Sequence, residues 1–499
     1  MAISNGSIEV TTIGSRGMLR TVVALMLALV SGLGWAAADP PETATASDPV
    51  AAAAHSAPDA EPGGSWPARR KRPNIVLIMT DDAGYGDLGS YGAPDIRTPH
   101  IDSIARDGVR LTDFYANAMS CTPTRAGLIA GRYQQRYGIE FPFPAPGLPG
   151  SEQGLAPSPH SLPRLLKDNG YATGLFGKWH LGYAPAFSPL AHGFDEFFGS
   201  KSAAIDYHAH HTVRPSEGAR FNEPQPDLWQ DDRLVEESGY ITDLIAQRAV
   251  QFIDRNAKRP FFIDVSFNAP HSPTQPPDRA SDASAGATAT RADYVAVMER
   301  VDRAVGEVLA ALRARGLERD TIVIFTNDNG GMGLSHSGPL FHRKFSAWEG
   351  GIRVPALVRW SGRIPAGTVS AQVGITMDLT ATILAATGTS VPAEARLEGI
   401  DLLPVLTRKT PEIERSLFWR TAGPSPVNMQ QKAVRSGRWK LIVDGAPNRV
   451  FLFDVQADPG ERADLFAQHP EIVRRLQGML VAWEQDVDAE ARGARSEAP

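Results

Sequence analysis

Cysteine is almost absent from this chain: 499 residues carry one, Cys121. No internal disulfide can form, so packing must hold the fold, and cysteine usage says little about the redox compartment. A lone thiol leaves three readings, namely an inert buried side chain, a nucleophile, or a residue destined for modification. An excess of basic charge is also lacking. Lys and Arg number 50 against 56 Asp and Glu, a formal charge of −6, so no global positive field exists to attract nucleic acid, and an acidic polysaccharide would need a local basic pocket. Internal repeats are absent. Long apolar runs are missing except near the N-terminus, where Arg16 and Arg20 precede the uncharged stretch Thr21 to Ala38. That pattern, ending Ala36-Ala37-Ala38, reads as a secretory signal over residues 1–38. Export to the periplasm or outside is therefore expected, with no stable membrane span after cleavage. An uncleaved anchor is the alternative, because the stretch is close to spanning length. No cysteine follows it for lipid attachment, and no paired arginines precede it.

Residues 39–72 are rich in Ala, Pro, Asp, Ser and Gly, too poor in apolar surface to order themselves, and read as a linker. The remaining length, with 42% hydrophobic residues in the whole chain, supports a large core. Two runs share one design. Asn74-Ile75-Val76-Leu77-Ile78-Met79-Thr80 ends in Asp81-Asp82-Ala83-Gly84, and Thr321-Ile322-Val323-Ile324-Phe325-Thr326 ends in Asn327-Asp328-Asn329-Gly330-Gly331. Continuous apolar strands imply a covered, mostly parallel sheet, and sites in such sheets form beyond the carboxyl ends of strands. The two acidic ends together would make a hard, oxygen-rich pocket suited to Ca²⁺ or Mg²⁺, although each alone could be an ordinary Asp/Asn/Gly turn.

Three further blocks deliver bases and cations. The expected strand Ala172 to Phe176 runs into Gly177-Lys178-Trp179-His180, whose i, i+2 spacing places Lys178 and His180 on one side if extended. A buried-type strand from Pro260 to Phe267 leads to Asn268-Ala269-Pro270-His271-Ser272-Pro273, and Lys344 precedes Trp348-Glu349-Gly350-Gly351. Each could be a surface lysine or a satisfied imidazole. His208-Ala209-His210-His211 suggests zinc but lacks the set of suitably placed ligands such sites need, so a pocket-lining or surface role is expected. Cys121 lies in Cys121-Thr122-Pro123-Thr124-Arg125 before the apolar run to Ala130. Pro123 fits a first helical turn, so Cys121 should sit at a helix N-terminus, with Arg125 one turn on along the same face.

Cys121-Thr122-Pro123-Thr124-Arg125 followed by Gly131-Arg132-Tyr133 resembles the signature of the type I sulfatases, and ordered blocks extend the likeness from about Arg72 to about Leu465. The resemblance implies an α/β fold of the alkaline-phosphatase-like type, a sandwich around a large mostly parallel sheet over residues 73–410. A small C-terminal antiparallel-sheet domain with a closing helix would follow over 411–499. It implies that Cys121 is oxidised to formylglycine by a separate formylglycine-generating system. Asp81, Asp82, Asp328 and Asn329, with residue 121, would hold one divalent cation, usually Ca²⁺. Cys121, Arg125, Lys178, His180, His271 and Lys344 would be the catalytic set. In it Arg125 holds the nucleophilic oxygen, Lys178 and Lys344 neutralise charge, His271 protonates the leaving oxygen and His180 takes a proton. The implied substrate is a small-molecule or glycan sulfate ester. A phosphate or phosphonate monoester hydrolase of the same superfamily, or an inactive glycan-binding relative, remains open. Gly127 and Ile129-Ala130 depart from the commoner Ser/Ala and Leu-Thr of the family pattern, a matter of packing. Residues 200–214 do not align securely, and no pocket residue is assigned there.

Overall fold

The protein is described by a computed structural model over residues 72–213, 224–279, 289–421, 430–445 and 449–496. The expected signal segment lies outside these residues, as does all but the last residue of the expected linker. Among the described residues no helix is long and apolar enough to cross a membrane.

The central sheet has ten strands. From one edge they are Thr368–Ser370, Val109–Leu111, Ala356–Trp360, Thr321–Asn327, Asn74–Asp81, Phe261–Pro270, Ala172–Gly177, Glu196–Gly199, Trp229–Gln230 and Arg233–Leu234. The five strands from Thr321–Asn327 to Glu196–Gly199 pair in parallel, while Ala356–Trp360 runs antiparallel to its neighbours. Side chains alternate across the first strand. Val76 and Ile78 enter a core with the helices Ile241–Asn256 and Arg291–Ala314, whereas Ile75, Leu77 and Met79 enter one with Cys121–Ala130, Leu162–Asp168 and Thr376–Thr387. Covering both faces accounts for the unbroken apolar runs, since each fully buried Ile, Leu or Phe contributes roughly 1.5–3 kcal/mol. Parallel pairing has a second consequence: Asp81, Gly177, Pro270 and Asn327 all finish at the same edge of the sheet.

A second sheet is antiparallel and four-stranded: Ser416–Arg420, Gln431–Ser436, Trp439–Asp444 and Arg449–Asp454, followed by the helix Pro470–Ser496. The last three strands coincide with the runs Lys432-Ala433-Val434-Arg435, Trp439-Lys440-Leu441-Ile442-Val443 and Val450-Phe451-Leu452-Phe453-Asp454, which the sequence pattern reads as short antiparallel strands. The first was not anticipated; its Leu417 and Trp419 face inward while Phe418 and Arg420 are partly exposed, and it is short. Trp419, Leu441, Leu452 and Leu480 share one apolar cluster with Tyr115, Met119 and Ile375, so the small sheet packs on the larger part through a common core.

Candidate active site

The strand ends bring together carboxylates that lie about 250 residues apart in the chain. Asp81 and Asp328 are fully buried and Asp82 nearly so. Asp82 has a positive φ of 69°, a turn that sends its backbone N–H toward Asp328 Oδ1 at 3.4 Å. Asn329 Nδ2 donates to Asp82 Oδ1 at 2.7 Å. Asn327 ties the two loops: its Oδ1 accepts from Thr80 Oγ1 at 2.8 Å and Ala83 N at 3.2 Å, and its Nδ2 donates to the Ala83 carbonyl at 2.9 Å.

The helix Cys121–Ala130 begins at the thiol, as its sequence suggests, and ends on Gly131 in the left-handed conformation. Cys121 is buried, and burial pushes its pKa up although Lys178 and Lys344 pull the other way. Arg125 projects from the next turn. Its Nε and Nη2 donate to Asp328 Oδ2 at 3.1 and 2.9 Å, and its Nη1 to the Lys178 carbonyl at 3.1 Å. Lys178 Nζ lies 2.5 Å from Asp81 Oδ2, while Lys344 Nζ lies 2.6 Å from Asp82 Oδ1 and 3.8 Å from Cys121 Sγ. Burial opposes charge at both Asp81 and Asp82, but the lysines and His271 outweigh it and hold both pKa values below the usual range. Asp328 goes the other way, raised by burial and by Asp81.

Gly177 is required where it stands. Its φ is +120°, and a β-carbon there would meet the Ser266 carbonyl at 1.8 Å, the same carbonyl that accepts from Lys178 N at 2.7 Å. The backbone does not then stay extended: His180 has φ 56°, so Lys178 and His180 are not a strand-like i, i+2 pair. The turn sends Lys178 to Asp81 and lets the His180 carbonyl accept from Thr122 Oγ1 at 3.0 Å, beside Cys121. His180 Nε2 contacts the Phe143 carbonyl at 3.2 Å, which places the proton there and leaves Nδ1 a buried lone pair with no partner. Burial, then Lys178, hold its pKa well below the ordinary value, so the ring is neutral. His271 Nδ1 contacts the Ser272 carbonyl at 2.7 Å, and Nε2 lies 3.5 Å from Asp82 Oδ2. All ten residues singled out from the sequence thus meet at one edge. The His208 and His210 rings lie elsewhere, against the carbonyls of Pro276 at 3.3 Å and Gly239 at 3.0 Å.

Comparison with known proteins decides what this constellation belongs to. Residues 73–389 match the family model "Sulfatase", and residues 338–486 match "N-sulphoglucosamine sulphohydrolase, C-terminal". The chain belongs to the sulfatase family. It is 38% identical over 371 residues to N-acetylgalactosamine-6-sulfatase of Sus scrofa, covering 70% of this chain and 68% of the relative. It is 34% identical over 447 residues to arylsulfatase A of Bos taurus, covering 80% and 84%. The chain spans about two thirds of the length of the N-acetylgalactosamine-6-sulfatases it matches, 66% for that of Canis lupus familiaris. Among solved structures, Ps i-CgsB in complex with k-i-k-neocarrahexaose superposes with a TM-score of 0.75 at 30% identity, covering 83% of this chain and 93% of that one.

Sulfatases generally use a divalent cation, and the donor set here fits one. Asp81, Cys121 and Asp328 place ligand atoms within 4.8 Å of one another, as do Asp81, Asp82 and His271. Asp81 Oδ1 and Asn329 Oδ1 are buried oxygens without a donor, an arrangement that is costly unless a cation meets them. A neutral His271 that gives its Nδ1 proton to Ser272 turns a lone pair toward the Asp82 carboxylate, which again calls for a proton or a cation between them. Sequence reasoning missed Asn327 and Thr122 as supports of the site. Both lay inside quoted motifs, and only their side-chain partners reveal their use.

Proposed function

We propose that this sulfatase hydrolyses sulfate monoesters, with a carbohydrate sulfate the favoured substrate class and aryl sulfates accepted as small surrogates. The observation that carries the reading is the convergence of three carboxylates, Asn329, residue 121, two lysines and two imidazoles at one sheet edge. The carbohydrate preference draws on the names of the N-acetylgalactosamine-6-sulfatases and on the oligosaccharide held by Ps i-CgsB.

Asp81, Asp82, Asp328 and Asn329, with residue 121, would hold one Ca²⁺, which when bound neutralises sulfate charge and makes a coordinated hydroxyl more acidic. Conversion of Cys121 to formylglycine, by a maturation system outside this chain, would supply a hydrated aldehyde as oxygen nucleophile. The remaining work falls to side chains. Lys178 and Lys344 place ammonium groups where the sulfate oxygens gain charge. Arg125, anchored on Asp328, holds that carboxylate and the residue-121 helix turn in register. His180 accepts a proton at Nδ1, its unpartnered lone pair. His271, protonated at Nε2, donates to the leaving ester oxygen, with Lys344 beside it. We assign residues 73–410 to the catalytic domain and 411–499 to a C-terminal subdomain that borders the pocket, behind an exported 1–38 signal and a 39–72 linker.

The test compares initial rates on matched aryl sulfate and aryl phosphate esters, using protein shown by mass spectrometry to carry the aldehyde at 121. Faster sulfate turnover, lost in Cys121→Ala, is expected. A preference for phosphate would move the chain to the phosphohydrolases of the superfamily, and full activity of Cys121→Ala would end the scheme.

A further inference from the structure

We propose that Asp264 is a positioning residue for this reaction, holding the Arg125 guanidinium from its far side through a water lodged in a small cavity between them. The proposal rests on the sulfatase reading of the site. Asp264 and Ser266 alternate with Ile263, Val265 and Phe267 along the strand Phe261–Pro270, and those three apolar residues fill the core on the opposite face. The Asp264 and Ser266 face is therefore the one that carries the helix Cys121–Ala130, in a layer where Leu77, Met79, Leu128, Leu175 and Phe262 form the apolar packing. A carboxylate only 3% exposed is a costly choice at such a position.

Its surroundings give it a use. Asp264 Oδ1 accepts from Ser266 Oγ at 2.7 Å. Asp264, Ser266, Arg125 and Lys178 line a cavity whose other walls are apolar, with about 10 Å³ of room for a water centre. That is close to the minimum for one water, and four polar residues around it meet the need for two to four partners. Arg125 has five N–H hydrogens. Nε and Nη2 each donate to Asp328 and Nη1 donates to the Lys178 carbonyl, which leaves one hydrogen on each terminal nitrogen. Asp264 and Arg125 face the same cavity with no direct hydrogen bond between them, and burial pushes the Asp264 pKa up to about 6, with Ser266 and Arg125 opposing it. Arg125 is held on one edge by Asp328, a proposed cation ligand, and under the proposal a water would tie its remaining hydrogens to Asp264. Releasing the second hold lets the guanidinium turn and carries Asp328 with it.

The experiment pairs a crystal structure of the full chain, at a resolution that shows waters, with kinetics of Asp264→Asn and Asp264→Leu on an aryl sulfate. Expected are a water bridging Asp264 and Arg125, and kcat lower by about 10-fold in the Asn variant and about 100-fold in the Leu variant, with KM changed less than about two-fold. Thermal midpoints should not follow that order, because an apolar Leu suits the layer; a purely structural role would make activity follow stability. Should Asp264→Leu not fold, Asp264→Asn and Ser266→Ala carry the kinetic test. A dry cavity, or kcat within about two-fold of wild type in the variants, overturns the proposal. If the wild type turns over no sulfate ester, it is the activity reading that fails. The water and the Arg125–Asp328 geometry in Asp264→Asn then still decide whether Asp264 clamps Arg125.

Discussion

Two buried clusters in this protein hold the same charges and use them differently. At the site, Asp81, Asp82 and Asp328 face Arg125, Lys178 and Lys344. Between the two sheets, Glu349, Glu461 and Asp113 face Lys440, Arg353 and Arg435. In the second cluster each carboxylate has a cation against it, and its one oxygen without a hydrogen-bond donor, Glu461 Oε1, faces Lys440 Nζ at 2.8 Å. Glu349 accepts from Lys440 at 2.8 Å, from Tyr115 Oη at 2.7 Å and from Arg353 at 3.1 Å; Asp113 lies 2.9 Å from Arg353 and 2.8 Å from Arg435; Glu461 lies 2.8 Å from Lys440 and accepts from Glu349 N at 2.6 Å. The first cluster is open, with Asp81 Oδ1 and Asn329 Oδ1 buried and without donors. Equal numbers of charges therefore do not distinguish a lock from a reaction centre. The placement of unsatisfied acceptors does: Asp81 Oδ1 and Asn329 Oδ1 sit on the two acidic loops that meet at the site, whereas Glu461 Oε1, also without a donor, has the Lys440 ammonium 2.8 Å away.

The difference is broken most directly at the open cluster. Asp328→Ala and Cys121→Ala are expected to lower kcat on an aryl sulfate by on the order of 10³-fold or more, while the thermal midpoint moves by only a few degrees. Equal losses of activity and stability would make the site a structural lock as well. Next in size is the cluster between the sheets. Lys440→Met leaves Glu349 and Glu461 facing each other and should cost about 3–5 kcal/mol in urea unfolding, with kcat of the folded fraction nearly unchanged. Adding Glu461→Gln to that variant should restore much of the loss; no recovery would show that Lys440 acts through packing instead.

Cation binding sharpens the contrast further. Calcium at 100 times its Kd should stabilise the wild type by about 2.7 kcal/mol, seen as a rise in thermal midpoint that a chelator reverses. Asp81→Asn should shrink that rise and Lys440→Met should leave it intact. The smallest effect is a pH dependence. Burial raises the Glu461 pKa from 4.5 to about 7, against the pull of Lys440. The folded chain then holds a proton that the unfolded chain releases, so this residue's contribution falls as pH rises from about 4.5 through 7. Glu461→Gln should flatten the wild-type loss of stability between pH 5 and 8, and an unchanged slope would assign it to other groups.

Much of the site was legible before folding was considered, because its parts sit where strands stop. Asn74 to Met79 and Thr321 to Thr326 are apolar runs with no other use than a covered strand, and the acidic turns after them announce themselves. Lys178 and His271 follow strands in the same way. Other parts carried no such mark. Asp264 reads as a flaw in an apolar strand until Arg125 is seen behind it. Ser416–Arg420 alternates too briefly to stand out. The Glu349–Lys440–Glu461 lock joins positions about 90 and 20 residues apart in the chain, each an ordinary charge in its own segment.

The sequence by itself determined the strands that end at the site, the residue types at each of those strand ends and the placement of Cys121 at a helix start. These follow from local periodicity, turn chemistry and the proline in the first turn. The tertiary structure alone decided which oxygens stay unpaired, which way His180 and His271 turn their lone pairs, and which carboxylates close on arginine and lysine. Those outcomes depend on the mutual approach of groups brought together by parallel pairing across more than a hundred residues, a distance over which local sequence pattern carries no information.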